Sequence, residues 1–107
     1  MNPDFSVAIQ SADRDESLVA VVRGEVDVAT APELDRELEQ ATARGPGSLV
    51  VDLAGVTFLD SSGCHVLVRA HRRGEAAGVG VELAGVNGTT LRVLEVAGLT
   101  EVLTIRT

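Results

Sequence analysis

The sequence contains no tryptophan, no tyrosine and no lysine, and its only aromatic residues are Phe5 and Phe58. Proteins that bind single-stranded nucleic acid stack bases on exposed aromatic side chains, so this scarcity argues against that class of function. The absence of lysine also excludes the phosphate-binding loop Gly-x-x-x-x-Gly-Lys-Ser/Thr. Because aromatic residues are so few, we expect an aliphatic core. With lysine absent, the nine positively charged side chains are all arginine.

Cysteine and long apolar runs are scarce as well. Cys64 is the only cysteine, which excludes an internal disulfide and fits a reducing compartment. Residues 1–4 have neither a basic start nor an apolar run, so they do not resemble a signal peptide. No stretch approaches the roughly 18 apolar residues of a membrane span. These features lead us to expect a cytoplasmic protein.

The length and charge of the chain limit its architecture and its partners. The 107 residues fit one domain, which we expect to span residues 1–107. The formal net charge is −7. A surplus of acidic side chains repels phosphate backbones and anionic membrane surfaces, so we expect neither nucleic acid nor a membrane as a direct partner.

Hydrophobic periodicity predicts alternating strands and helices. Strands are expected at residues 5–9, 18–22, 49–53 and 79–83, and residues 13–16 form a charged turn between the first two. Helices are expected to begin near Thr30, near Asp60 and at Asn87 or Thr89, whereas residues 102–105 fit either a short strand or a helical turn. The order β-β-α-β-α-β-α predicts an α/β domain with a mixed sheet of four or five strands and helices mainly on one face.

Local signals refine the expected helices. Thr30 and Glu33 are spaced as a capping box, in which each side chain bonds the backbone N–H of the other residue. In the second helix, we expect the apolar face to carry Cys64, Leu67, Val68 and His71. The leucines expected to be mostly buried are Leu34, Leu38, Leu67 and Leu91.

The most informative stretch is residues 59–63, which read Leu-Asp-Ser-Ser-Gly. It leaves a buried strand and enters a helix, so Ser61 is expected at the positive end of the helix dipole. A phosphate on Ser61 would be stabilised there and would add about −1.5 to −2 units of charge. The plainer alternative is that Asp60 and Ser61 only cap the helix, as Asp and Ser commonly do.

Three segments together resemble the STAS domains of anti-sigma-factor antagonists. Besides residues 59–63, the sequence Gly-Glu-Val-Asp at residues 24–27 and Leu-Glu-Val-Ala-Gly-Leu at residues 94–99 are similar to family segments, in the same order. The resemblance implies that Ser61 takes phosphate from a serine kinase that is also the anti-sigma factor. The unphosphorylated form would bind that partner and release a sigma factor, and a phosphatase would reset the switch. The implied partner-binding residues are Asp27, Asp60, Ser61, Ser62, Gly63 and His65.

The chain departs from the family pattern at two places. Cys64 and His65 replace the small or apolar pair that commonly follows the motif glycine, and residues 87–89, Asn-Gly-Thr, replace a segment that often carries Ser-Pro. Cys64 is either a buried core thiol or a redox sensor, and His65 is either an ordinary surface residue or a pH sensor. Asp27 either contacts the partner or only binds its own turn.

Other functions fit the sequence less well. Residues 59–63 lack the first glycine of a Gly-x-Ser-x-Gly nucleophile elbow, and no carboxylate pair is marked as acid and base. Cys64, His65 and His71 lack the spacing of a zinc site. We therefore expect no enzyme activity, no metal and no cofactor. A STAS module of another assembly, such as a stress-signalling complex or a lipid-transport subunit, stays an alternative.

Overall fold

The computed structural model describes residues 4–12 and 16–106. Its elements are strands and helices in the order β1 (Ser6–Ser11), β2 (Leu18–Val26), α1 (Ala31–Ala43), β3 (Ser48–Leu59), α2 (Ser61–Ala77), β4 (Gly80–Ala84), α3 (Gly88–Val96) and β5 (Thr104–Ile105). The predicted order is confirmed, and residues 102–105 end in a strand. Of the predicted charged turn, residues 13–15 lie outside the described residues.

The connections between strands explain why the helices share one face. The five strands form one sheet in the order β1-β2-β3-β4-β5, in which β1 is antiparallel to β2 and the later pairs are parallel. Each helix thus joins a strand to its parallel neighbour, always in the same direction across the sheet. Such crossovers are right-handed in nearly all proteins, which places all three helices on the same side. The predicted mixed sheet with helices mainly on one face is confirmed.

The core lies between this face of the sheet and the helices. Leu49 on β3 is the register partner of Leu18 on β2 and of Val81 on β4, and all three are buried. Helix α1 covers the sheet with Leu34 and Leu38, which are completely buried. Aliphatic side chains make up nearly all of this core, as the composition predicts, and Cys64 is the one sulfur-containing residue among its described members.

Two expectations about buried helix faces need correction. Leu67 is buried as predicted, but Leu91 is only half-buried, because the short helix α3 turns Thr90 and Leu94 inward instead. In α2, Val68 and His71 are likewise half-buried. The inward face of α2 is rotated relative to the prediction, and its buried residues are Gly63, Cys64, Val66, Leu67, Ala70 and Gly74.

The predicted capping box at the start of α1 is wrong. The Thr30 side chain makes no capping bond to α1. Its hydroxyl instead donates to the Glu25 carbonyl at 2.8 Å and accepts from the Asp27 N–H at 3.0 Å. Thr30 is buried, and a buried hydroxyl must satisfy whichever backbone groups lie nearest. Here those groups belong to the end of β2 and to the loop before the helix.

Strands β2 and β3 are longer than predicted. β2 continues to Val26 and β3 to Leu59, beyond the expected ends at residues 22 and 53. β2 pairs with β3 through two register shifts near Gly24, whose φ is +92°. A Cβ atom at Gly24 would also overlap the Asp4 backbone, with 2.7 Å to its carbonyl carbon. The first residue of the Gly-Glu-Val-Asp segment is therefore a glycine for steric reasons.

No helix among residues 4–12 and 16–106 is long and apolar enough to cross a membrane.

Candidate functional site

The segments that follow β2 and β3, residues 27–30 and residue 60, leave the sheet side by side. Val26 and Leu59 are register partners at the ends of the parallel strands β2 and β3. The Asp60 N–H donates to the Val26 carbonyl at 3.2 Å, which joins the two strand ends. Asp27 and Asp60 follow these paired residues, so the structure brings two predicted site residues to the same edge of the sheet.

Asp60 caps helix α2. Its Oδ1 atom accepts hydrogen bonds from the Ser62 N–H at 2.9 Å and the Gly63 N–H at 3.3 Å. The backbone of Asp60 is extended, with φ −113° and ψ −170°, as is usual for a cap. Asp60 therefore has the capping role that its residue type predicts. The cap is made by the Asp60 side chain, and the Ser61 hydroxyl is not one of the capping groups.

Ser61 and Ser62 lie against different grooves. Ser61 is the first residue of α2 and is exposed. It lines a groove of about 440 Å³ between α2 and α3. Ser62 is half-buried and lines a second groove, of about 370 Å³, between α2 and the start of α1. His65, one turn later and exposed, borders both grooves.

Gly63 lets α2 approach the sheet closely. It is buried, and a Cβ atom there would overlap the Leu59 side chain and lie 2.8 Å from the Val26 Cγ1 atom. Any side chain at residue 63 would push the start of α2 outward. The glycine of the motif is therefore explained by packing, and its predicted partner contact stays a prediction.

Asp27 uses its carboxylate within its own loop. Its Oδ1 atom accepts from the Ala29 N–H at 2.9 Å and the Thr30 N–H at 3.1 Å. This is the turn role that Asp commonly plays, and it fixes a loop whose tip carries Val28, 77% exposed. Asp27 thus shapes the surface beside α2, whereas its direct contact with a partner stays a prediction.

Cys64 is a buried core thiol. Its side chain is 4% exposed. Burial, and secondly the negative charge of Asp60, raise the pKa of the Cys64 thiol above its ordinary value. A redox-sensing cysteine needs the opposite shift, because the thiolate is the reactive form. The sensor alternative therefore loses its chemical basis.

The arginines of α2 are partly engaged inside the domain. Asp35 on α1 accepts from the Arg69 Nε and the Arg73 Nη2 atoms, both at 3.4 Å. His71 lies 3.6 Å from the Glu75 carboxylate one turn away. Within the described part of the chain, no three His, Cys, Asp or Glu side chains are grouped as metal ligands would be.

Helix α3 contributes residues to the site that its sequence motifs do not predict. Arg92, Val93 and Val96 line the groove beside Ser61, and Val96 is 78% exposed. The available signal was that Leu91, Val93, Leu94 and Val96 give this short helix more apolar residues than one buried face needs. The groove joins α2 and α3, which are separated in sequence by a whole strand, so spacing could not reveal it.

Comparison with known proteins decides the family. The STAS domain model matches residues 8–107. The chain belongs to the STAS domain family. The fold described above, with the motif serine at the start of α2, is thus a STAS fold, and the resemblance carried by residues 24–27, 59–63 and 94–99 is confirmed.

Several relatives of this STAS domain have named functions. The chain is 31% identical over 100 residues to the anti-sigma-F factor antagonist RsfB of Mycobacterium tuberculosis, covering 92% of this chain and 80% of RsfB. It is 28% identical over 103 residues to the anti-sigma-B factor antagonist of Listeria monocytogenes, covering 95% and 90%. The crystal structure of an anti-sigma factor antagonist from Mycobacterium paratuberculosis superposes with a TM-score of 0.76 at 32% identity, covering 94% and 85%.

Proposed function

We propose that this STAS domain is an anti-sigma-factor antagonist that a phosphate on Ser61 switches off. The observation that carries the proposal is the exposed Ser61 hydroxyl at the first position of α2, in a chain similar to proteins named as such antagonists. In its unphosphorylated form the protein binds an anti-sigma factor, and the sigma factor is released to direct transcription. The relatives favour this function over a STAS module of another assembly.

The choice of Ser61 over Ser62 rests on accessibility. Ser61 is exposed, whereas Ser62 is half-buried and lies toward α1. A kinase must bring the γ-phosphate of ATP in line with the attacking hydroxyl, which requires a hydroxyl that protrudes from the surface. The phosphate would remain at the N-terminus of α2, where the helix dipole favours an anion.

The proposed partner surface comprises Asp27, Asp60, Ser61, Ser62, Gly63 and His65. The anti-sigma factor also acts as the serine kinase, and a phosphatase removes the phosphate. The protein itself is the substrate of these enzymes and needs no cofactor. We place the whole cycle in the cytoplasm, where sigma factors meet RNA polymerase, without direct contact to nucleic acid or membrane.

A binding and release experiment tests this function. The protein is screened by two-hybrid assay against every anti-sigma factor of its own genome, and the partner found is purified with its sigma factor. Adding unphosphorylated protein should release the sigma factor and restore transcription from its promoter. Failure to bind any anti-sigma factor, or binding without release, would contradict the proposal.

The modification site is tested with the same partner and ATP. Mass spectrometry should find phosphate on Ser61 of the parent protein and on the Ser62→Ala variant. The Ser61→Ala variant should take up none. Full phosphorylation of Ser61→Ala would assign the switch to another residue while leaving the binding function intact.

A further inference from the structure

The groove between α2 and α3 differs in charge from the rest of this acidic protein. The chain has 16 acidic and 9 basic residues. The side chains that line the groove, all in the described part of the chain, include Arg92 and His65 but no acidic residue. Asp60 lies nearby, but its Oδ1 atom is bonded to the backbone N–H groups of Ser62 and Gly63. The groove is therefore an acid-free site on an acidic protein.

The floor and rim of the groove are apolar. Val68 on α2 and Val93 on α3 face it from either side, and the exposed Val96 stands at its rim. Exposed valine on a protein surface favours contact with another apolar side chain, because contact removes both from water. The combination of an apolar floor and a cationic rim fits an apolar side chain that has a carboxylate beside it.

Arg92 is available for such a carboxylate. It is exposed, and none of the ion pairs among the described residues involves it; those pairs use Arg69, Arg73, Arg106 and His71. An arginine guanidinium presents a planar fork of donors that matches a carboxylate. It therefore selects an acidic partner without first breaking an internal salt bridge.

We propose that the groove between α2 and α3 holds an apolar side chain of the anti-sigma factor, with an adjacent partner carboxylate on Arg92. This proposal rests on the proposed function and extends its contact surface to α3. It also adds an electrostatic effect at Arg92 to the way in which phosphorylation weakens binding. Because Ser61 lines the same groove, its phosphate would compete for the positive charge of Arg92 and repel the partner carboxylate.

Charge reversal with a matched control tests the proposal. Arg92→Glu should weaken binding of the anti-sigma factor by about tenfold or more. Most of this loss of affinity should come from faster dissociation of the complex. Arg72→Glu makes the same charge change at an exposed position of α2 that does not line the groove. It should change the affinity by less than about twofold, the scale expected for a charge outside the contact. Equal effects of both variants would show a general charge effect and overturn the proposal.

The proposed apolar contact in the groove is tested in the same way as the charged contact. Val96→Asp should weaken binding as Arg92→Glu does, whereas Val102→Asp, at an exposed valine outside the groove, should not. Circular dichroism of each free variant reports whether it is folded. A selection for partner variants that bind Arg92→Glu should return changes of Asp or Glu to Lys or Arg. Suppressors that map only to residues contacting Ser61 would contradict the assigned contact.

A dye experiment separates failure of this proposal from failure of the proposed function. Anilinonaphthalene sulfonate, an apolar anion, should bind the parent protein more tightly than neutral phenylnaphthylamine, and Arg92→Glu should remove the difference. The anti-sigma factor should displace the dye. If the partner binds without displacing it, the groove assignment is wrong and the function stands. If no anti-sigma factor binds, the groove assignment and the proposed function are both wrong. If Val96→Asp dissociates a dimer of this chain, the occupant is a second copy, which also overturns the proposal.

Discussion

Gly63 in α2 lies so close to Val26 in β2 that a Cβ atom on residue 63 would come within 2.8 Å of the Val26 Cγ1 atom. The Asp60 N–H bonds the carbonyl of the same valine. Two contacts to one residue thus hold the start of α2 against the end of β2. Because Ser61 lies between Asp60 and Gly63, its position on the surface depends on this packing.

Replacing the motif glycine should destabilise the domain. For Gly63→Ala we expect a loss of about 1–3 kcal/mol in the free energy of unfolding, because overpacking outweighs the helix preference of alanine. Urea unfolding measures this. Gly80→Ala is the control, since a Cβ atom there would meet nothing within 4 Å; its stability should stay within about 1 kcal/mol of the parent. An equally stable Gly63→Ala protein would refute the close-packing explanation.

Two leucines should differ in their contribution to stability. Leu67 is 1% exposed, and Leu67→Ala should cost roughly 2–5 kcal/mol because it leaves a cavity. Leu91 is only half-buried, so Leu91→Ala should cost clearly less than Leu67→Ala. Thermal unfolding of both variants measures the contrast. Similar losses would mean that Leu91 is packed as closely as Leu67.

The Thr30 hydroxyl should stabilise the loop before α1. Thr30→Val keeps the shape but leaves the Glu25 carbonyl and the Asp27 N–H without their partner. Unpaired buried polar groups cost about 1–3 kcal/mol, so Thr30→Val should be destabilised by that amount. Thr30→Ser retains the hydroxyl and should recover most of the loss. A Thr30→Val protein as stable as the parent would show that these hydrogen bonds do not stabilise the domain.

The ionisation of Cys64 should make stability fall at alkaline pH. Burial, and then Asp60, raise the pKa of its thiol in the folded protein above the ordinary value of 9.0. The neutral thiol is therefore favoured by folding, and its contribution is complete below that value and lost as the pH rises above it. The chain has no lysine or tyrosine to obscure this range. Urea unfolding from about pH 8 to pH 10 should show the decline in the parent and a flatter profile in Cys64→Ala.

The Asp60 contribution to this shift can be isolated. Asp60→Asn keeps a good capping residue but removes the charge, so the Cys64 pKa should fall toward its ordinary value while staying raised by burial. The 13Cβ chemical shift of Cys64 followed against pH in the folded protein reports that pKa. An unchanged titration curve would show that burial alone raises it.

The phosphate on Ser61 should act at the interface without unfolding the domain. A charge placed against a partner surface shaped for a hydroxyl commonly costs several kcal/mol, and each 1.4 kcal/mol is about tenfold in affinity. Phosphorylated protein should therefore bind the anti-sigma factor at least about tenfold more weakly, with unchanged circular dichroism. Ser61→Ala should still bind, and Ser61→Asp should lose part of the affinity. Tight binding by genuinely phosphorylated protein, or its unfolding, would contradict this mechanism.

The sequence alone determined the order of elements, the mixed sheet and the family. These depend on local periodicity, on the spacing of Gly24, Asp60 and Gly98, and on the handedness of crossovers, all of which can be read along the chain. Asp60 could also be recognised as a helix cap, because a cap bonds residues two and three positions away.

The tertiary structure decided what depends on contacts between distant segments. The Thr30 hydroxyl had local bonding choices that only the position of Glu25 resolves, and Leu91 is half-buried because α3 meets the sheet through Thr90 and Leu94. The groove that joins Ser61 to Arg92 forms only when β4 places α3 beside α2. Periodicity identifies which residues one helix can bury, but the neighbouring elements determine how that helix is turned.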